Sequence, residues 1–389
     1  MKKEMKKARR FAVLLTAMAL TAGLSLPMLN NAADTVSLVA SAEDDENYTE
    51  GSNDTFYYLK YADHIVISGL KSEPSDLVIP DTIDNLPVTK IQMYSFNYLS
   101  IKSVTFPDSL KEIDSYSFTD CTNLTEVTLP ANIERLGFHV FENCTSLKTI
   151  NFPDHLVKTS DFTFENTPWL DAQRKNDPLV IVNNALIDAR TTTGAVEVPS
   201  NVKYVASGAF SKNDKVTSVV FPVGVSEVGD NTFWMCSSLT SVDIKGAENL
   251  GMTAFGYCEK LSDLKLSNKL KSVLMMCFTD AANAGTITFY GTEDEWKNVE
   301  VEDFDNDFIK NSKVIFDSTP IDVPDEPKEV VGDINMDGAL TTADAVLLHR
   351  WLLTEPDVEL KNWKAGDMNA DGELTSADLS LLKNELLKG

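Results

Sequence analysis

A tandem repeat of 23 residues occupies the middle of the sequence and restricts its fold more than any other feature. Proline and phenylalanine each recur at this step, at Pro107, Pro130 and Pro153 and at Phe118, Phe141 and Phe164. The clearest units are 102–124, 125–147, 148–170, 217–239 and 240–261, with a weaker first unit at 77–96 and further marks at Phe210, Phe233, Phe255 and Phe278. A fixed period of this length, with apolar residues at fixed places, predicts a solenoid of stacked coils.

Each coil begins with a short strand that has one buried face. In SVTFP, Val104 and Phe106 alternate with Ser103 and Thr105, which is the pattern of a half-buried strand. The proline that follows stops further strand pairing, and a second apolar set returns the chain over the core. Because no coil can bury its own apolar face, each needs a neighbour on both sides.

With proline, phenylalanine, cysteine and leucine in register over several units, the pattern resembles the bacterial leucine-rich repeats of the BspA-like, cell-surface type. The resemblance covers about residues 55–316. The interruption at 168–200 resembles the hairpin insertion common in that family, with Asn183 and Asn184 at the turn of VIVNNALID. Segment 286–299 resembles a C-terminal cap. The expected fold class is mixed: a leucine-rich-repeat solenoid of short β-strands with a ~23-residue period, followed by a small α-helical domain.

The cysteines follow the same register. Cys121 and Cys144 are 23 residues apart, Cys236 and Cys258 are 22 apart, and each of these four lies three residues after a phenylalanine; Cys277 is the fifth. An odd cysteine count in an exported protein also fits disulfides plus one free thiol. The repeat position favours a row of small buried thiols.

The N-terminus has the order of a secretory signal peptide over residues 1–42. Residues 2–10 are basic, 11–29 are apolar, and small residues follow. Cleavage is expected after Ala42 or, alternatively, after Ala33, and an uncleaved membrane anchor is the other interpretation. Residues 43–54 are predicted to be an acidic linker. The net charge of -25 argues against nucleic acid or an anionic membrane as the partner.

Near its C-terminus the chain repeats thirteen residues almost unchanged, as GDINMDGALTTAD (332–344) and GDMNADGELTSAD (366–378). Both match the calcium-loop pattern of an EF-hand at positions 1, 3, 5, 6, 9 and 12, with the carbonyl at position 7 as a further ligand. The predicted ligands are Asp333, Asn335, Asp337, Ala339, Thr341 and Asp344 in the first loop and Asp367, Asn369, Asp371, Glu373, Thr375 and Asp378 in the second. The sequence therefore predicts two calcium ions.

The spacing of these residues has a chemical reason. A hard cation takes six to eight oxygens, and glycine at position 6 permits the sharp turn that lets alternate side chains converge. Without the cation the carboxylates would repel one another, so calcium binding and folding should be coupled. Position 12 is Asp and not Glu. Leu340 and Leu374 are expected to pair the loops, and an apolar stripe of leucines is expected on each following helix: Leu347, Leu348, Leu352, Leu353, Leu381, Leu382, Leu386 and Leu387.

Such a pair of loops, each followed by one helix, resembles a dockerin over residues 331–389. The resemblance implies a cohesin domain of a scaffoldin as partner, within a cellulosome that degrades polysaccharides. In that family the partner is contacted by loop positions 10 and 11 and helix positions 17 and 18. These correspond to Thr342, Ala343, His349 and Arg350 in the first half and to Ser376, Ala377, Lys383 and Asn384 in the second. The near-symmetry implies that either half can face the cohesin. A single preferred orientation is the alternative, because His349-Arg350-Trp351 in one half and Lys383-Asn384-Glu385 in the other break the symmetry. Residues 317–330, acidic and rich in proline, are expected to be a semi-stiff linker.

No recognisable catalytic motif occurs, and we expect no catalytic site. Outward strand positions predict a surface of small and polar residues that suits a protein ligand: Ser103, Thr105, Glu126, Thr128, Thr149, Asn151, Ser218, Val220, Ser241, Asp243, Asp263 and Lys265. Aromatic residues on the neighbouring turn, Tyr116, Phe138 and Trp234, keep a glycan ligand open. The sequence thus predicts a non-catalytic, secreted cellulosome subunit; a dockerin-borne enzyme of O-glycosyl hydrolysis or a plant cell wall glycan-binding subunit is the alternative.

Overall fold

A computed structural model describes residues 48–319, 331–335, 340–354, 358, 360 and 362–387. The chain divides into two compact units between Thr319 and Pro320. The predicted signal peptide at 1–42 and most of the predicted linker at 317–330 lie outside the described residues.

An antiparallel sheet begins the first unit. Strands β1 (Thr49–Ser52), β2 (Phe56–Lys60) and β3 (Ile65–Leu70) pair in sequence order. The prediction of a linker at 43–54 is therefore wrong for its described part, because residues 49–52 are a paired strand. The pattern of this polar, glycine-containing segment does not indicate a strand. It becomes one because β2 pairs with it, with Tyr57 opposite Ser52 and Tyr58 opposite Gly51.

Short parallel strands then form one row of the solenoid, one strand per coil. They are β4 (Asp76–Val78), β7 (Ser103–Thr105), β9 (Glu126–Thr128), β11 (Thr149–Asn151), β14 (Gly194–Glu197), β16 (Val216–Phe221), β18 (Ser241–Ile244), β20 (Asp263–Ser267), β22 (Thr286–Tyr290) and β24 (Lys313–Phe316). Within this set, the six strands from β14 to β24 form one continuous parallel sheet. We call this set the main row. It confirms the predicted solenoid and the predicted strand positions.

A second row of mostly two-residue strands lies on the returning part of each coil. It consists of β5 (Thr82–Ile83), β6 (Leu86–Ile91), β8 (Glu112–Ile113), β10 (Arg135–Leu136), β15 (Tyr204–Val205), β17 (Glu227–Val228), β19 (Asn249–Leu250), β21 (Ser272–Val273) and β23 (Glu300–Val301). At its N-terminal end β3 pairs with β6 in parallel. The second row therefore continues into the N-terminal sheet.

The repeated phenylalanines stack along the core. Ring centroids of neighbouring coils lie 5.0 to 6.0 Å apart in two series, Phe96–Phe118–Phe141–Phe164 and Phe210–Phe233–Phe255–Phe278–Phe308. All nine rings are almost completely buried. Aromatic contacts of this kind add to the stability gained from burial, and each one depends on the adjacent coil.

Two residues before eight of these nine phenylalanines, all except Phe308, the backbone turns through the left-handed region. Tyr94, Tyr116, His139, Phe162, Gly208, Asn231, Thr253 and Met276 have φ between 52° and 67°. Only one of them is glycine, although left-handed φ is uncommon for other residues. Hydrogen bonds to the next coil hold this conformation, as where the Tyr116 N–H donates to the Phe138 carbonyl.

The interruption of the repeat is a helix followed by a hairpin. Helix α1 (Pro168–Asn176) precedes β12 (Val180–Val182) and β13 (Ala185–Asp188), which pair antiparallel. Asn183 and Asn184 form the turn with φ of 46° and 63°, as predicted. The helix was not predicted, because this segment was interpreted as a hairpin alone. Its cap is Thr167, whose hydroxyl accepts from the Leu170 N–H.

The last coils carry two short helices, α2 (Glu293–Trp296) and α3 (Asp307–Asn311). The array does not end with the segment 286–299, because β23 and β24 add a further turn after it. Phe308 of α3 stacks on Phe278 at 5.0 Å between ring centroids, so α3 covers the end of the phenylalanine series.

The second unit is a pair of helices joined by a shorter one. These are α4 (Thr342–Leu352), α5 (Trp363–Gly366) and α6 (Ser376–Leu386). Ile334, Ala345, Leu348, Leu379 and Leu382 form its buried core. The predicted leucine stripe is only partly correct, since Leu353, Leu381 and Leu387 are exposed. In neither unit does a described helix have the length and apolarity needed to cross a bilayer.

Candidate calcium loops and interaction surfaces

The position-12 carboxylate closes the first loop onto the start of α4. Asp344 Oδ1 accepts from the Ile334 N–H at 2.9 Å and the Asn335 N–H at 3.0 Å. Its Oδ2 accepts from the Thr341 N–H at 2.9 Å and the Thr341 hydroxyl at 3.1 Å. Asp344 is completely buried, so one side chain joins the beginning of the loop to its end.

The second loop repeats this arrangement. Asp378 Oδ1 accepts from the N–H groups of Met368 at 3.0 Å and Asn369 at 3.3 Å, and its Oδ2 accepts from the Thr375 N–H at 2.8 Å. Burial raises the pKa of Asp378, but the hydrogen bonds from Thr375 and Asn369 outweigh burial and leave the pKa below its usual value. A carboxylate that accepts several backbone N–H groups is favoured in its charged form.

Thr341 and Thr375 cap the two helices. The Thr341 hydroxyl accepts from the Ala343 N–H, and the Thr375 hydroxyl accepts from the Ala377 N–H, both at 3.2 Å. Both caps are capping boxes with the aspartate three residues later. Sequence reasoning assigned these threonines and aspartates to the metal alone. The S/T-x-x-D spacing was the available signal for their second role in the helix starts.

The donor set of the second loop fits a hard cation. Asp367 accepts from the N–H groups of Asp371 at 3.1 Å and Gly372 at 2.9 Å, which folds the turn around its carboxylate. Asn369 Nδ2 donates to Asp371 Oδ2 at 2.8 Å, so the side chains of positions 3 and 5 meet. Carboxylate and amide oxygens within one tight loop are the ligands that calcium prefers. Asp367, Asn369, Asp371, Thr375 and Asp378 would hold the ion, with the carbonyl of Glu373.

The first loop is described only in part, because its predicted ligands Asp337 and Ala339 lie outside the described residues. Asp333, Asn335, Thr341 and Asp344 are described. Over the described ranges, no three His, Cys, Asp or Glu side chains approach one another as a preformed metal cluster. The position-12 carboxylates are directed instead at the backbone N–H groups of their own loops.

The loops are joined to each other through backbone bonds and leucines. The Gly332 N–H donates to the Ala365 carbonyl at 2.8 Å, and the Asn362 N–H donates to the Ile334 carbonyl at 3.0 Å. Leu340 and Leu374, the predicted pairing residues, pack on the core of this unit. The first loop is therefore bonded directly to the segment that precedes the second loop.

The eight predicted partner-binding residues are all exposed: Thr342, Ala343, His349, Arg350, Ser376, Ala377, Lys383 and Asn384. At helical spacing each set of four lies on one face of its helix. Val346, 56% exposed, occupies the centre of the face on α4, where α6 has Ser380. Sequence reasoning passed over Val346, although its spacing of four from Thr342 and three from His349 was the available signal.

The main row presents the predicted polar surface. Thr149 aligns with Glu126 and Asn151 with Thr128, and all four are exposed. Asn151 Nδ2 donates to both Glu126 Oε1 and Thr128 Oγ1 at 3.1 Å. The outward lane is therefore a continuous polar strip in this part of the array.

Asp243 corrects the predicted lane. It points outward but is only 8% exposed, because Lys245 Nζ lies 3.6 Å from its Oδ2. This burial raises the pKa of Asp243. Lys245 also lies over the Tyr290 ring at 5.8 Å. Tyr290 stands beside Ser267 on the same face, so this face carries an aromatic residue outside the predicted lane of small and polar residues.

The aromatic residues of the neighbouring turn stack on one another. Tyr94, Tyr116, His139 and Phe162 stack in order at 4.8, 4.7 and 5.2 Å between centroids. Arg190 of the insertion and Lys212 after it lie 4.5 and 5.0 Å from the Phe162 ring, and Lys212 lies 5.2 Å from the Trp234 ring. Sugar rings bind to free aromatic faces, and the ring faces of Tyr116, His139 and Phe162 are occupied by their neighbours.

The insertion brings charged residues together around Asp188. This residue is 1% exposed and binds Arg174 Nε and Nη2 at 2.9 Å each. Arg190 Nε and Glu165 complete the cluster. Both oxygens of Asp188 and Oε2 of Glu165 face an arginine, so the cluster fastens the insertion to the array.

All five cysteines are free and buried. Sγ of Cys121, Cys144, Cys236 and Cys258 lies 3.1 to 3.2 Å from the carbonyl of a phenylalanine in the preceding coil. Burial raises the pKa of Cys121 and Cys236 to about 12. A thiol in this state is unreactive, which confirms the row of buried thiols.

Two family models match the chain. The model for the BspA type leucine rich repeat region matches in six copies over residues 75–189 and 181–307, and the model for the dockerin type I domain matches residues 331–387. The chain belongs to the BspA-type leucine-rich-repeat family and carries a C-terminal type I dockerin domain. Such a domain binds calcium and a cohesin partner in cellulosome-type assembly, and leucine-rich repeats are a protein-interaction fold.

Solved structures of leucine-rich-repeat proteins resemble the chain. A T. pallidum leucine-rich-repeat protein is 26% identical, with 55% of this chain and 91% of that chain covered and a TM-score of 0.32. A leucine-rich cell surface protein of Faecalibacterium prausnitzii is 16% identical, with 66% of this chain and 98% of that chain covered and a TM-score of 0.28. The pneumococcal vaccine antigen PcpA is 14% identical, with 71% of this chain and 100% of that chain covered and a TM-score of 0.29. No curated protein matches the chain significantly.

Proposed function

We propose that this protein is a non-catalytic extracellular subunit of a cellulosome, in which the dockerin attaches the repeat array to a scaffoldin cohesin in a calcium-dependent way. The observation that carries this proposal is the duplicated loop-and-helix unit, with a buried position-12 aspartate in each half and the partner-contacting positions exposed in both. Export through a signal peptide cleaved after Ala42, or after Ala33, belongs to the same proposal.

Two calcium ions are proposed, one per loop. Support comes from the matched positions of the ligands and from the convergence of the second-loop side chains described above. The bound ion would supply charge that neutralises the loop carboxylates. Asp344 and Asp378 already bridge the two ends of their loops, so a loop held by its ion also holds the start of its helix. Chelation is expected to loosen the partner-binding faces of both α4 and α6.

The cohesin is proposed to bind the exposed faces of α4 and α6. Isothermal titration calorimetry of the full chain with a purified type I cohesin, in calcium and in chelator, tests this. The double variant H349E/R350E changes one face, K383E/N384E changes the other, and the matched control Lys364→Glu lies on α5 outside both. Either double variant alone is expected to keep binding through the intact half, and the combined variant is expected to lose it. Binding that survives both the combined variant and chelation would refute the proposal.

The repeat array is proposed to bind a protein, in the context of polysaccharide degradation. The strip of Glu126, Thr128, Thr149 and Asn151 supports a polar protein contact, and the stacked rings on the neighbouring turn disfavour a glycan. Glu126→Lys with Asn151→Lys should remove the array's ligand from a pull-down while cohesin binding is unchanged. If the captured proteins are identical for the variant and the natural chain, this strip is not the binding surface.

A further inference from the structure

The two terminal strands of the main row each leave one edge open. Over the described residues, β4 pairs with β7 and with no strand on its other side, and β24 pairs with β22 alone. Asp76, Val78, Lys313 and Ile315 are exposed. A free strand edge presents unpaired backbone groups that can accept another strand.

The hydrogen bonds show which backbone groups face these open edges. In β24, the N–H groups of Lys313 and Asp317 donate back to the Gly285 and Phe289 carbonyls of the preceding coil. Alternate residues of a strand face opposite sides, so Val314 and Phe316 direct their N–H and C=O groups outward along the sheet. By the same rule the Ile79 N–H donates to the Thr105 carbonyl, and the groups of residues 76 and 78 face the open edge of β4.

Side chains at the two ends are complementary in the register of the array. Lys313 aligns with Thr286, Asp263, Ser241 and Ser218 in successive coils. Ser218 holds the place in its repeat unit that Ser103, aligned with Asp76, holds in an earlier one. Asp76 and Lys313 thus occupy one column at opposite ends of the array, and Val78 and Ile315 occupy the next outward column.

We propose that β24 of one copy of this chain pairs in parallel with β4 of a second copy, head to tail. The repeat register then places Lys313 opposite Asp76 and Ile315 opposite Val78. The Val314 N–H donates to the Asp76 carbonyl, the Val78 N–H donates to the Val314 carbonyl, and the Phe316 N–H donates to the Val78 carbonyl. Each new bond uses a group that faces an open edge.

Charge favours the head-to-tail contact, which forms an ion pair beside an apolar pair. Two β4 edges would offer only aspartate and valine to each other and form no ion pair. The head-to-tail contact is heterologous and can continue from copy to copy. Because the second row continues at the N-terminal end into β3, β2 and β1, the contact is an edge-to-edge pairing of strands and not a stacking of whole coils. Its small area makes it weak and dependent on concentration.

Disulfide trapping on the full chain tests the register. Val78→Cys and Ile315→Cys, each made singly and mixed under mild oxidation, should give a covalent heterodimer, since directly opposed residues of adjacent strands allow a disulfide. The native cysteines are buried and do not compete. Asp76→Cys mixed with Ile315→Cys is the off-register control. A V78C/I315C yield no higher than this control, or V78C homodimers as the main product, would overturn the proposal.

Charge exchange tests the ion pair independently by sedimentation velocity over a concentration series. Asp76→Lys and Lys313→Asp should each weaken self-association by about tenfold, as loss and reversal of one exposed ion pair predict. The variant carrying both changes restores the opposite charges across the contact and should return to the natural association constant. Failure of the double variant to recover, or single variants that associate as well as the natural chain, would refute the contact. Calorimetric binding to cohesin should be the same for all of them, so this result does not depend on the dockerin.

Discussion

Gly208 is a position at which the array tolerates little change. It occupies the left-handed turn place that Tyr94, Tyr116 and Phe162 fill in other coils, with φ of +67°. A Cβ built here would lie 2.0 Å from Asp161 Oδ1. Asp161 cannot move aside cheaply, because it is 5% exposed and fixed in the coil before the insertion. Gly208→Ala should therefore destabilise the first unit strongly.

The destabilisation by Gly208→Ala can be separated into backbone strain and overpacking with a matched control. Gly194 has nearly the same φ, +68°, but no atom within 4 Å of its ideal Cβ. Gly194→Ala then costs only the left-handed backbone strain, about 1–2 kcal/mol. Gly208→Ala adds an overpacking cost of about 1–3 kcal/mol. The expected difference between the two variants is therefore about 2 kcal/mol in the free energy of unfolding.

Urea denaturation of both variants, followed by circular dichroism, measures this difference. A second comparison removes the side chain that the added Cβ would meet. Asp161→Ser replaces this side chain with the serine that Ser115 has at the same repeat position, and Gly208→Ala should lower the free energy of unfolding less in the Asp161→Ser background. Equal destabilisation by Gly208→Ala and Gly194→Ala, or additive effects of Asp161→Ser and Gly208→Ala, would refute the steric explanation.

Three further measurements test other parts of the structure. Burial raises the pKa of Asp161 to about 7, so the folded chain loses stability as the pH rises toward that value and the buried carboxyl becomes charged. The free energy of unfolding of Asp161→Asn should therefore rise by about 2–3 kcal/mol relative to the natural chain between pH 5 and pH 8. A difference that does not change with pH would contradict the burial. A thiol reagent should label none of the five cysteines in the native protein and all of them in denaturant, and fewer labelled thiols in denaturant would indicate disulfides. Asp344→Ala and Asp378→Ala should each destabilise the second unit by about 3 kcal/mol, because several N–H donors lose a charged acceptor, whereas exposed Ser380→Ala should change its thermal unfolding little.

The coils were predictable because their information is local and repeated. Each contains its own alternating strand, its proline stop and its phenylalanine, so Val104, Phe118 and Cys121 are buried as the period requires. The two C-terminal loops could be recognised for the same reason. The predicted ligands of each loop lie within thirteen consecutive residues, and the second copy repeats the register of the first.

The remaining features depend on neighbours that are distant in sequence. Asp243 is buried by Lys245 and by Tyr290, which is two coils away, and no pattern within its own strand indicates this. Asp161 meets Gly208 only because the insertion folds as a helix and a hairpin that return the chain to the array. Strand β1 needs β2 as its partner, since its own composition resembles a loop.

The repeated left-handed turn has a consequence for how such arrays change in length. Because the same backbone geometry recurs whether the residue is Tyr116, His139 or Thr253, the step from coil to coil does not depend on the side chain at that place. A duplication or loss of one whole unit, such as 125–147, therefore rejoins backbone to backbone in the same conformation. The array can be lengthened or shortened by complete units while its two terminal strands keep their edges.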